Sequence, residues 1–117
     1  MSSVIINSLG RISVADQVVA EIAGQIATNC FGVIGMVSHS ATRDSIATLL
    51  GKENLSRGVS VVSEGDSVEI SLSIIVRYGV PIPTVCDAII DNVKYQVENT
   101  IGLRVKNVHV VVQDIRV

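Results

Sequence analysis

Apolar residues recur along this chain with two periods, and the change of period marks the change of element. Val68, Ile70, Leu72, Ile74, Val76 and Tyr78 alternate with Glu69, Ser71, Ser73 and Arg77, Ile75 being the exception. A period of two predicts a strand with one covered and one wetter face, here over Ser67 to Tyr78. A shorter run, Gly58 to Ser63, precedes it across Glu64-Gly65-Asp66, so the two read as a β-hairpin. Gly79-Val80-Pro81-Ile82-Pro83 then turns the chain into a helix, where proline in the first turn costs little. Ile82, Val85, Ile89, Val93, Val97 and Ile101 line one side of that helix, and Gly102 is its expected stop. A last strand runs from Arg104 to about Val117 with Val108, Val110 and Val112 on one face.

Upstream the signals are shorter. Leu9 to Val14 reads as a brief extended segment after a loosely ordered start at residues 1–8. A helix follows, beginning between Val14 and Asp16. Val14, Val18, Ile22 and Ile26 form its apolar stripe with Val19 and Ala23 beside them, and Ser13 and Asp16 have capping-box spacing. Phe31 to Val37 predicts a short buried strand. Ser40 to Leu50 predicts a short helix capped by Ser40 and ended by Gly51, followed by a polar loop over Lys52 to Arg57. The order is β-α-β-(α)-β-β-α-β. Each apolar strand face needs cover and the two longer helices carry matching stripes. The expected fold is therefore α+β: a two-layer sandwich, a mixed β-sheet with two main helices packed on one face, in one domain over 1–117. Strand order stays open.

Composition sharpens this picture. Of 117 residues 48% are hydrophobic, nearly all aliphatic, with one Phe, two Tyr and no Trp. The mean hydropathy is +0.52. Val and Ile favour pleated, half-buried surfaces. The apolar excess has two readings, a densely filled core or a surface covered in a homo-oligomer. No apolar run approaches the roughly 20 residues that cross a bilayer. The N-terminus lacks the basic start and apolar stretch of a signal peptide, so a cytoplasmic protein is expected, with no direct membrane insertion. The net charge is −2, with lysines only at 52, 94 and 106. Nucleic acid is normally held by clustered cations, so no nucleic-acid partner is expected.

The candidate chemistry is thin. Cys30 and Cys86 are too few for a disulfide framework, and their apolar neighbours read as ordinary buried thiols. Cys86 with His39 or His109 would be a nucleophile–base pair, but nothing marks an orienting group or oxyanion donors. His109 lies opposite the Val108, Val110 and Val112 face, as a partly exposed strand histidine. Glu64 and Asp66 are explained by turn chemistry. Gly32-Val33-Ile34-Gly35 matches the G-x-x-G of KH nucleic-acid-binding domains, yet its apolar middle pair and the flanking Phe31 and Met36 favour a buried strand. The reading is no enzyme, no catalytic residue, no cofactor-binding residue, no metal ligand and no cofactor.

Six segments in order resemble the alkaline shock protein family, the envelope-stress proteins of Gram-positive bacteria. Gly10-Arg11-Ile12-Ser13-Val14 is similar to the family's opening G-x-I-x-I/V strand, and Gly32 to Met36 to its G-V-x-G-M segment. Arg57-Gly58-Val59-Ser60-Val61 resembles its K/R-G-V-x-V strand. Ile75-Val76-Arg77-Tyr78-Gly79-Val80-Pro81-Ile82-Pro83 resembles the V-x-Y-G-x-x-I segment leading into the long helix. Thr100 to Val105 and Val108 to Gln113 resemble its T-G-L-x-V and V-N-V-x-V-Q close, with His109 where Asn is commoner. The resemblance implies a short single-domain member without catalytic residues. It implies a scaffold or adaptor that self-associates and binds a heterologous protein, membrane-anchored or kinase-like, in envelope or alkaline stress homeostasis. Membrane-peripheral placement would then come through that partner. The alternatives are an accessory protein of a dihydroxyacetone-kinase-like system and, in a different class, a KH-like RNA-binding module.

Overall fold

The computed structural model describes residues 14–38, 50–51 and 56–117. Six elements follow in chain order: helix α1 (Val14–Asn29), strands β1 (Val33–Met36), β2 (Val59–Glu64) and β3 (Ser67–Arg77), helix α2 (Ile82–Thr100) and strand β4 (Arg104–Arg116). The expected extended segment over Leu9 to Ser13, the turns of the helix expected from Ser40 to Leu49, and His39 lie outside the described residues. Leu50 is described and is not helical; its N–H donates to the Met36 carbonyl at 2.8 Å.

β3 is the spine of the sheet. One of its edges is shared end to end by β2, antiparallel with Val59 opposite Leu72 and Glu64 opposite Ser67, and by β1, antiparallel with Met36 opposite Ile74. Its other edge is taken along its whole length by β4, which runs parallel. The hairpin loop is two residues, Gly65-Asp66, with Gly65 at φ +61°. A glycine first in such a loop lets its twist match that of the strands. A parallel pair needs a crossover, and α2 supplies it. The mixed sheet expected from the sequence is therefore observed.

Both helices lie on one face of the sheet, α1 over β1 and β2, α2 over β4, and each packs on the other. Val68, Ile70, Leu72, Ile74 and Val76 of β3 point into this layer and are fully or almost fully buried. They meet Val85, Ile89, Val93 and Val97 of α2. α2 runs to Thr100, and Gly102 at φ +85° donates its N–H to the Glu98 carbonyl, the glycine stop that the sequence predicts.

Three expectations need correction. The buried face of α1 is Val19, Ala20, Ala23 and Ala27, while Val18 is 37% exposed and Ile22 and Ile26 are half-buried. The stripe is rotated because α1 has two neighbours. Alanines allow its backbone close to the sheet, and the larger Ile26 is turned to the seam with α2. The strand expected from Phe31 starts only at Val33. Phe31 and Gly32 form a turn, Gly32 takes φ +88° against Val80 and Val85, and Phe31 is expelled to 79% exposure. Tyr78 does not share the buried face of β3; it follows the strand in a turn and is 72% exposed.

Candidate interaction surfaces

The seam between the helices opens into a groove of about 390 Å³. Ile26 and Asn29 line it from α1, Cys30 from just beyond its end, and Ala88, Asn92 and Gln96 from α2, with Phe31 at its mouth. Asn92 Nδ2 sits 4.0 Å from the Cys30 sulfur. The groove follows from the sequence locally: small Ala88 and short amides face α1, so the two helices cannot close over it.

The second face of the sheet has a different chemistry. Ser60 stands opposite Ser71, and Val62 opposite Glu69. His109 pairs in register with Ser71, and Val111 with Ser73. Lys106 Nζ lies 3.6 Å from Glu64 and 3.8 Å from Glu69, and His109 Nε2 is 4.0 Å from the other oxygen of Glu69. These are exposed pairs, a solvated charge strip and not a desolvated centre. The face is not uniformly wet, because Ser73 and Ile75 are buried within it. Gln113 Nε2 reaches the Ser73 hydroxyl at 3.5 Å. At the far end of β2, Ser63 Oγ donates to the Asp16 carboxylate and ties the start of α1 to the sheet.

The sequence candidates are not assembled into a site. Cys86 belongs to α2, on the helix-covered side of the sheet, whereas His109 projects from the opposite face beside Glu69. The sheet stands between nucleophile and base. Burial and then the charge of Asp87 push the Cys86 thiol above its ordinary value, the reverse of what an attacking thiolate needs. Cys30 and Cys86 are half-buried, where their apolar neighbours predict full burial. Val33 and Ile34, the middle of the G-x-x-G, lie in β1 and do not form a loop that could track a phosphate backbone. Among the described residues no cluster of three or more His, Cys, Asp or Glu side chains is placed to hold a metal ion. No described helix is long and apolar enough to cross a membrane.

The residues that composition alone does not flag are the aromatics. The chain has one Phe and two Tyr. All three are exposed: Phe31 and Tyr78 as above, and Tyr95 on α2 at 63%. For Tyr95 a signal is present in the sequence, since it falls outside the Val85, Ile89, Val93 and Val97 stripe. For Phe31 the only hint is Gly32 beside it.

Comparison with known proteins identifies the family of this chain. Residues 5–117 match the alkaline shock protein 23 family, described as having a cell envelope-related function. The chain is 43% identical over 108 residues to the uncharacterized protein YloU of Bacillus subtilis (strain 168), covering 92% of this chain and 90% of that one. It is 40% identical over 108 residues to the uncharacterized protein Spy1614 of Streptococcus pyogenes serotype M6, covering 92% and 89%. A second Bacillus subtilis protein, the uncharacterized YqhY, is 31% identical over 105 residues, covering 88% and 76%. No solved structure matches. From residue 5 to its last strand, therefore, this chain belongs to the alkaline shock protein family that its six ordered segments resemble.

Proposed function

We propose that the protein is a non-enzymatic scaffold that self-associates and docks a second protein, contributing to cell-envelope homeostasis from the cytoplasm. The observation that carries this reading is the placement of the aromatics. Phe, Tyr and Trp normally dominate cores and interfaces because they bury the most area per side chain. Here the buried core of the described residues is aliphatic apart from Met36, and Phe31, Tyr78 and Tyr95 all stand on the surface. Exposed aromatics of this kind are the side chains enriched at protein–protein contacts. The envelope-related description of the family supplies the setting. Reach to the membrane would then come through the docked protein.

Light scattering behind a sizing column, across a wide concentration series, tests the self-association. A mass that stays above the 12.4 kDa of one chain, or rises with concentration, supports the reading. A single-chain mass throughout removes self-association from it.

A further inference from the structure

β4 has one edge on β3, and its other edge is the feature that the proposed self-association leaves unexplained. The phase of that edge is fixed by contacts on both sides of β3. Ser73 accepts from the Val37 N–H at 3.2 Å and Arg77 donates to the Gly32 carbonyl at 2.8 Å, so the odd-numbered residues of β3 turn their main chain toward β1 and β2. The even-numbered positions consequently face β4. At the two ends of that ladder, Arg104 donates to the Asp66 carbonyl at 3.2 Å and Tyr78 donates to the Arg116 carbonyl at 2.7 Å. In the observed register Asn107, His109 and Val111 therefore bond inward, and Val108, Val110 and Val112 direct both N–H and C=O outward.

The outward groups are treated differently along the strand. Near one end the Val105 N–H is taken by Glu98 Oε2 at 3.0 Å. Near the other the Ile115 N–H is taken by Asp114 Oδ1 at 2.8 Å. Register shifts separate these closed ends from the middle, one near Lys106 and one near Gln113. Between them, Val108, Val110 and Val112 have no partner on the outer side among the described residues. A straight edge of that length without Pro or Gly is a template for a further strand. Lys106, the one lysine near it, is drawn across the sheet face to Glu64 and Glu69 and does not shield it.

The sequence of this edge indicates its occupant. Lys106-Asn107-Val108-His109-Val110-Val111-Val112-Gln113-Asp114 is complementary to itself when reversed about Val110. Laid antiparallel on a second copy, Lys106 comes opposite Asp114, Asn107 opposite Gln113, Val108 opposite Val112 and His109 opposite Val111. In this phase each outward residue meets an outward residue, giving about six inter-chain main-chain hydrogen bonds. Centring on His109 or Val111 instead would set one of the three against a shifted, irregular position. A twofold contact of this kind uses one patch on both chains and closes on itself.

We propose that the open stretch Val108–Val112 of β4 is the dimer interface of this protein, pairing antiparallel with the same stretch of a second copy about a twofold axis at Val110. This deepens the self-association proposed above and rests on it. Two four-stranded sheets thereby become one continuous sheet with both pairs of helices on the same side.

Disulfide trapping at His109 and Val111 tests the register. Both side chains lie on the exposed face, and the pair between copies is of the non-hydrogen-bonded kind. Its Cα atoms stand about 4.5 Å apart, within disulfide range. A mixture of His109→Cys and Val111→Cys chains should form a linked dimer under mild oxidation, with the 109–111 bond identified by peptide mass. Neither variant alone should form a bond at its new cysteine. Val110→Pro removes an outward N–H that the β3 ladder does not use, so it should keep the far-UV circular dichroism and shift the chain to a monomer in light scattering. If wild type is a dimer but the mixture gives no 109–111 link, the interface is overturned and self-association stands on another surface. If wild type is a monomer up to a concentration on the order of 1 mM, both fall together. The trapping decides the interface even where Val110→Pro does not fold.

Discussion

The two faces of β3 are made by alternate residues of one strand, yet they do opposite things. On the helix side Val68, Ile70, Leu72, Ile74 and Val76 are sealed against α1 and α2. On the other side Glu69 shares Lys106 with Glu64 and holds His109 at its edge, all in contact with solvent. Buried apolar contact gains with every atom removed from water, whereas an exposed ion pair gives back most of its Coulomb energy to water and salt. The stability of the protein is therefore concentrated on the helix-covered face, with Ser73 and Ile75 the buried exceptions on the other.

The comparison breaks most severely at its centre. Leu72→Ala empties a position buried between both helices and should cost about 2–5 kcal/mol in urea unfolding, with the slope of the transition unchanged. A smaller loss is expected at Gly58, just before β2. A Cβ there would stand 2.7 Å from the Val37 carbonyl oxygen and 3.0 Å from the end of Met36. Gly58→Ala should lose about 1–3 kcal/mol, since a backbone atom cannot give way as a side-chain tip can. On the open face Lys106→Ala should change chemical stability by less than about 1 kcal/mol, and that small change should fade in high salt. A Leu72→Ala cost no larger than that of Lys106→Ala would refute the division between the faces.

The smallest effect is in pH. The Cys86 thiol is held above its ordinary value by burial and by Asp87, so the folded chain keeps this proton more tightly than the unfolded one. Its contribution is present in full below the unfolded value and is lost as pH rises through the folded value. Thermal melts of wild type and Cys86→Ser should therefore run parallel to neutral pH and converge or cross on the alkaline side, and alkylation of Cys86 near neutral pH should be slow. Rapid labelling there would contradict the environment described. Asp114 behaves with the opposite sign. Its hydrogen bonds from Arg116 and from the Ile115 N–H hold its carboxyl below the usual range, so what it adds is lost as pH falls.

Much of the fold is legible in the sequence because its causes are local. The period-two run of β3, the Glu64-Gly65-Asp66 turn, the α2 stripe and the Gly102 stop each follow from neighbours a few residues away, and each stands where the pattern places it. The departures have separate origins. The periodicity of α1 implies one buried side, but a helix wedged between a sheet and another helix buries two flanks, and Ala23 and Ala27 decide which comes closest. Phe31 is apolar and so reads as buried, but the turn at Gly32 points it outward. As for the candidate site, the residues whose chemistry stands out in the sequence, Cys86 and His109, are separated by the sheet. The aromatics, which carry no such chemistry, are all exposed.

The sequence by itself determined which stretches are helix or strand, that the fold is α+β, and that the chain carries the segments of its family. These depend on periodicity, turn chemistry and composition, all written in one dimension. Only the tertiary structure decided that β4 runs parallel beside β3 and not at the opposite edge, because strand order depends on how α2 packs the chain back over the sheet. That choice also fixed which main-chain groups of β4 face outward. The direction of a backbone N–H has no letter in the sequence, and it is set only when a neighbouring strand takes the other side.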